Sequence, residues 1–161
     1  TPVEVLEVEF PVFVEEYCLA PDTGGAGRYR GGLALRRTMR ALNASSSFNG
    51  AGERFRHQPW GLFGGHAGAT GQFLLLDDDG TQTKLAPKPA PMSCGPEQRI
   101  VVQSPGAGGY GNARERDPQL LARDWRSGKY SSDFMREHYG LSEAELQALP
   151  FDDSAFDYAE D

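Results

Sequence analysis

A chain of 161 residues with a formal net charge of −7 and a pI of about 5.0 has the length of one domain with a real core. Its acidity excludes a general nucleic-acid binder, which needs a basic surface to displace counterions from phosphate. No apolar run approaches the ~18–20 residues that span a bilayer, and no charged n-region precedes an apolar h-region, so a cytoplasmic protein without a membrane segment is expected.

Cys18 and Cys94 show neither metal-ligand spacing nor the density of a disulfide scaffold, and two buried, reduced thiols are the simplest expectation. Glycine (20 residues) and proline (11 residues) make up about a fifth of the chain, which suits a domain with many tight turns. Thr1 is not methionine and Val3 already opens an apolar pattern, so the chain is expected to start in mid-protein.

From Val3 to Val14 apolar and polar residues alternate, with a slip at Val5–Leu6. This predicts a bulged strand, interrupted by Pro11 and therefore at an edge. Residues 20–32 form a glycine-dense loop. Leu33, Leu35, Met39 and Ala41 resume period two, with arginines at 36, 37 and 40, and Ser45–Gly50 is a further short strand before a long loop through Gly71. Phe73–Leu76, Asp79-Gly80 and Thr83–Leu85 predict a hairpin, because Asp-Gly supplies positive φ. A last strand runs through Arg99–Gln103.

The period then changes. Asp117-Pro118 is an N-cap with proline at the first helical position, and Gly128 is a stop. Leu120, Leu121 and Trp125 share the face between them. Helices are expected near 118–127, 132–139 and 143–149, the second with Phe134, Met135 and His138 inward, the third opened by the Ser142/Glu145 capping box and closed by Pro150. The fold class is α+β, mainly β: an antiparallel sandwich or barrel-like domain followed by short C-terminal helices. The organisation expected is a glycine-rich β-domain over residues 1–112, a helical segment packed on it over 113–150, and an acidic tail over 151–161 with five carboxylates and no base.

Gly106-Ala-Gly108-Gly-Tyr-Gly111 matches GxGxxG, but a dinucleotide site needs a helix opening on the last glycine inside a βαβ unit, and the next helix start is Asp117. A glycine turn pressed against a neighbouring strand is the better reading. In the run from Gly24 to Gly32, Arg28 and Arg30 flank Tyr29 on a backbone that can approach another surface closely. Two guanidinium groups can grip a carboxylate or phosphate. The plainer alternative is a loop ordered by Tyr29, with both arginines paired to local carboxylates. His57, His66 and His138 show no metal-ligand spacing. His66, uncrowded among glycines, is a contact candidate against a solvent-facing alternative. Arg28, Tyr29, Arg30, Trp60, His66 and Tyr110 are the anion or interface candidates. No GxSxG serine or cysteine–histidine pair announces a nucleophile, and Asp77–Gly80 is a turn rather than a calcium loop.

Four stretches, TPVEVLEVEFP (1–11), PDTGGAGRYRGGLALR (21–36), PWGLFGGHAGATG (59–71) and SPGAGGYGNARERDP (104–118), jointly resemble the C-terminal part of hydantoinase B/oxoprolinase proteins. The resemblance implies part of a B-type subunit of an ATP-dependent cyclic amide hydrolase. It implies as partners the upstream part of that subunit and an A-type ATP-binding subunit, in a hetero-oligomer. ATP and a divalent metal would serve the whole enzyme, bound outside this segment. The family's catalytic and metal positions lie upstream of the matching stretches, so no catalytic or metal residue is carried over. Alternative readings are part of an ATP-dependent acetone/acetophenone-type carboxylase subunit, or a non-catalytic scaffolding small subunit.

Overall fold

The computed structural model describes residues 2–43 and 46–151. The acidic tail from Asp152 onward lies outside the described residues, as does Ser45. The chain runs helix α1 (Val3–Glu9), strands β1 (Val12–Ala20), β2 (Ala34–Ala41), β3 (Ser46–Phe48), β4 (Gln72–Asp77), β5 (Gln82–Lys84), β6 (Met92–Cys94) and β7 (Gln98–Gln103). A 3-10 turn (Ala113–Glu115) and helices α2 (Pro118–Arg126), α3 (Ser132–Phe134) and α4 (Glu143–Gln147) follow, with a π-helical turn at Met135–Tyr139 extending α3.

All strand pairs are antiparallel. A five-stranded sheet has the order β1-β2-β7-β4-β5, and β3 pairs with β6 in a separate ribbon. The sheet is open rather than a closed barrel. The registers Met39↔Ile100↔Leu75 and Arg37↔Val102↔Phe73 put Met39, Ile100, Leu75, Val102 and Phe73 on one face. There the ribbon covers Leu75 and Ile100 with Phe48, Met92 and Cys94. The opposite face is mixed, with buried Val101 and half-buried Leu74 and Leu76 beside Thr38 and a set of paired charges. Glu15 pairs with Arg40 at 3.2 Å and Arg99 at 2.9 Å, and Arg36 donates to Gln103 Oε1 at 2.8 Å and 3.0 Å. Arg36 and Arg40 of β2 therefore have local partners.

The hairpin forms as expected, with Gly80 at φ 87° and Leu75 opposite Thr83. The first strand does not. Residues 3–9 are helical, with Val3, Leu6 and Glu7 half-buried on one face, and the bulge falls between Val14 and Glu16. The reason is the length of the partner: β2 ends at Ala41, opposite Val12, so residues before Val12 have no strand to pair with. A helix satisfies its own backbone instead. Glu7 anchors it by accepting a 2.8 Å hydrogen bond from the Val14 amide. The strand then continues to Ala20, beyond the point where alternation faded, because the bulge turns both Glu15 and Glu16 toward the face that carries Thr38, Arg40 and Arg99. Strand β6 had no period to announce it.

Asp117 caps α2 through the Gln119 amide, Ser131 caps α3, and Ser142 with Glu145 completes the capping box. Gly140 ends the π-helical turn at φ 73°. The largest fully buried side chains, Tyr130, Met135 and Leu146, all belong to this helical region. With Ala26, Ala113, Leu121 and Tyr139 they form a core between the helices and the glycine-rich loops. The helices thus hold down the loops rather than the sheet.

Candidate functional site

Three glycine-rich stretches, 23–32, 59–69 and 104–111, come together beside the sheet as extended backbones bonded laterally. Gly25 N donates to Ala107 O (2.8 Å), His66 N to Ala26 O (2.7 Å), Gly109 N to His66 O (2.9 Å), and Tyr29 and Tyr110 exchange both of their backbone bonds. The spacing leaves no room for side chains. A Cβ on Gly31 would fall on the carbonyl of Ala107, and one on Gly106 on that of Thr23, both far inside 3.0 Å. GxGxxG is therefore part of a backbone bundle, not a pyrophosphate cradle: the glycines permit close approach.

The helices close the bundle with polar tips. Tyr130 Oη donates to Gly24 O at 3.0 Å, and Gly27 N donates to Tyr139 Oη at 3.4 Å. Burial pushes both phenols above the ordinary tyrosine range, so they stay neutral donors and acceptors. Asp124, nearly fully buried on α2, receives Arg30 Nε at 3.0 Å and Arg116 Nη2 at 2.6 Å, and Arg116 Nη1 also donates to Arg28 O at 3.1 Å. One carboxylate thereby ties the first glycine stretch to the helices.

The six candidates separate. Arg30 is engaged with Asp124 and its own loop carbonyl at Gly31. Arg28 is exposed, 5.7 Å from the centroid of Tyr29 and 4.0 Å from Glu115. Tyr29 and Tyr110 pack at 6.3 Å, and Tyr110 meets Phe63 at 5.0 Å. Trp60 lies further along, its ring 4.7 Å from the Arg54 guanidinium. His66 stands 5.0 Å from His138, which also contacts Phe134 at 4.3 Å. Burial lowers the His138 pKa below the usual imidazole value. Among the described residues no group of three or more His, Cys, Asp or Glu side chains converges, so the donors present do not fit a protein-bound metal.

The rim includes two residues the sequence reading passed over, Leu62 and Phe63. Tyr29, Leu62, Phe63 and Tyr110 are 58%, 51%, 78% and 47% exposed and adjoin one another. Phe63 holds φ 49°, a left-handed conformation that is rare for a bulky residue. Two large apolar residues between glycines, Gly61-Leu-Phe-Gly64, were the available signal, since a glycine turn cannot bury them. Asp124 was visible too, three residues after Leu121 on the apolar stripe of α2.

The fold is similar to that of two solved structures of ATP-dependent enzymes. The chain superposes with a TM-score of 0.76 on acetone carboxylase, at 19% identity, covering 92% of this chain and 25% of that one. On the ATP-dependent caprolactamase of Pseudomonas jessenii the TM-score is 0.74, at 25% identity, covering 92% and 28%. In sequence it is 31% identical to caprolactamase subunit beta of that organism over 86% of this chain and 24% of the subunit. It is 39% identical to an uncharacterized protein of Methanocaldococcus jannaschii over 81% of this chain and 23% of that protein. The chain belongs to the Hydantoinase B/oxoprolinase family, whose model matches residues 1–113. It spans about a quarter of the length of these relatives. No helix among the described residues is long and apolar enough to cross a membrane.

Proposed function

We propose that this chain is the C-terminal, structural part of the B-type subunit of an ATP-dependent cyclic amide hydrolase, and that its glycine bundle seats the rest of the enzyme. The observation that carries this reading is the rim: four adjoining large apolar side chains held out on laterally bonded glycine-rich backbone, beside the exposed Arg28. Contiguous exposed apolar surface of this kind marks an interaction site. In this reading the occupants are the upstream part of the subunit and an A-type ATP-binding subunit; that a caprolactamase relative is itself named as a subunit supports it. ATP and a divalent metal belong in this reading to those parts of the enzyme, where ATP supplies activation of the amide. The residues of this chain orient and exclude water; they supply no nucleophile or base.

The test is coexpression of the chain with the remaining subunit sequence and the A-type partner, assayed with caprolactam, hydantoin, 5-oxoproline and acetone. R28A/Y29A and F63D should reduce copurification and ATP-dependent turnover while leaving the melting temperature of the chain nearly unchanged. Unaltered assembly and rate would remove the rim from the interface. ATP-dependent turnover by the 161-residue chain alone would overturn the structural role.

A further inference from the structure

Away from the bundle, the loop 52–57 and the turn 86–88 enclose an open cleft of about 650 Å³, lined by Gly52, Glu53, Arg54, Phe55, Arg56, His57, Ala86, Pro87 and Lys88. The loop is fixed at several points. Gly52 N donates to Pro87 O at 2.7 Å, Gly71 N donates to Arg54 O at 3.2 Å, and the Phe55 ring meets Phe73 edge-on at 4.7 Å. Arg54 has φ 57°, a conformation that L side chains adopt only where their surroundings impose it, and such strain gathers at ligand clamps.

The charge is unusual for this protein. In a chain of net charge −7, three permanent cations, Arg54, Arg56 and Lys88, share one cleft with a single carboxylate, Glu53. Of the sheet arginines, Arg40 and Arg99 pair with Glu15, Arg99 also with Asp78, Arg36 donates to Gln103, and Arg37 rests on the Tyr17 ring. Arg56 and Lys88 have no such partner among the described residues, and Arg54 rests on the face of Trp60.

Like charges lining one concave surface raise a positive potential there that a bound anion relieves. Guanidinium forks match the planar oxygens of carboxylate and phosphate. Phe55, Ala86 and Pro87 provide an apolar floor, and the volume lies in the range of small-molecule sites. We propose that this cleft binds a small oxyanion, a phosphate or carboxylate group, at Arg54, Arg56 and Lys88. The inference stands on the geometry of the cleft and not on the family reading.

The experiment titrates the full chain, at low salt, with inorganic phosphate and separately with succinate, by calorimetry and by tryptophan fluorescence. Saturable one-site binding, with Kd of about 1 mM or tighter for at least one of them, is expected. The preferred probe tells a phosphoryl from a carboxylate ligand. R56A/K88A should weaken binding roughly tenfold or more with an unchanged melting temperature, because both side chains are exposed. K88R, which keeps the charge, should bind. Trp60 should report binding through Arg54, so W60F should lose the optical signal but keep the heat. Absence of saturation with both probes overturns the proposal. So does an affinity that R56A/K88A leaves unchanged, which means an adventitious ion only, or saturable binding confined to an oligoglutamate peptide, which means a protein-docking surface.

Discussion

Replacing Asp124 with alanine tests whether the helices and the glycine bundle are joined by one buried charge. The carboxylate is shared by Arg116, whose side chain is 6% exposed, and Arg30, at 25%. Without it, two guanidinium groups remain close together in a site that water barely reaches. Removing one member of a buried ion pair costs about 3–5 kcal/mol, mostly from the charge left uncompensated. Set against a domain stability of about 5–15 kcal/mol, that is a large fraction. With about 2–4 °C lost per kcal/mol for a chain of this size, the melting temperature of D124A should fall by roughly 6–20 °C. Urea unfolding followed by tryptophan fluorescence measures the change, and an unaltered m-value keeps it in the folded state. E115A is the internal control: Arg28 and Glu115 lie 4.0 Å apart and are both more than half exposed, so its loss should not be measurable. D124N, which keeps the hydrogen-bonding shape without the charge, should fall between the two. If D124A costs no more than E115A, the buried tie is not what holds the halves together.

Gly31→Ala and Gly106→Ala each drive a Cβ into a backbone carbonyl and should cost about 1–3 kcal/mol. Gly32→Ala, with nothing within 4 Å, should be neutral or gain about 0.4–1 kcal/mol. Equal effects at all three, by chemical denaturation, would mean that close approach does not explain the bundle. His138 predicts a pH dependence. Burial lowers its folded pKa, with Glu137 and Asp22 opposing and His66 reinforcing the shift. The unfolded chain therefore takes up the proton first as pH falls through about 6.5, and stability declines from there downward. H138Q should flatten that part of the urea midpoint–pH profile relative to wild type; superposable profiles would exclude His138 as the source. At the rim, F63D should disrupt assembly with the rest of the enzyme more than E115A does, in a pull-down with both variants equally folded.

Local chemistry in the sequence determined those elements that close on themselves. Asp79-Gly80 made its hairpin because few other dipeptides reach that φ, and Ser142 with Glu145 opened α4 because the capping box lies within four residues. The density of glycine in three stretches announced close backbone approach. The family, too, was legible, in four stretches taken jointly, and its model matches residues 1–113. The tertiary structure decided whatever depended on a distant partner. Residues 3–9 alternate well enough for a strand, but β2 ends opposite Val12, and an alternating segment without a neighbour satisfies its backbone as a helix. Arg30 was open between an anion or interface contact and a local carboxylate until the fold brought Asp124 to it from 94 residues away. Arg54, Arg56 and Lys88 became one cleft only through the Gly52–Pro87 contact. Periodicity and capping are properties of neighbouring residues and can be read in order; charge neutralisation and clefts are properties of proximity, which the sequence does not contain until the chain has folded.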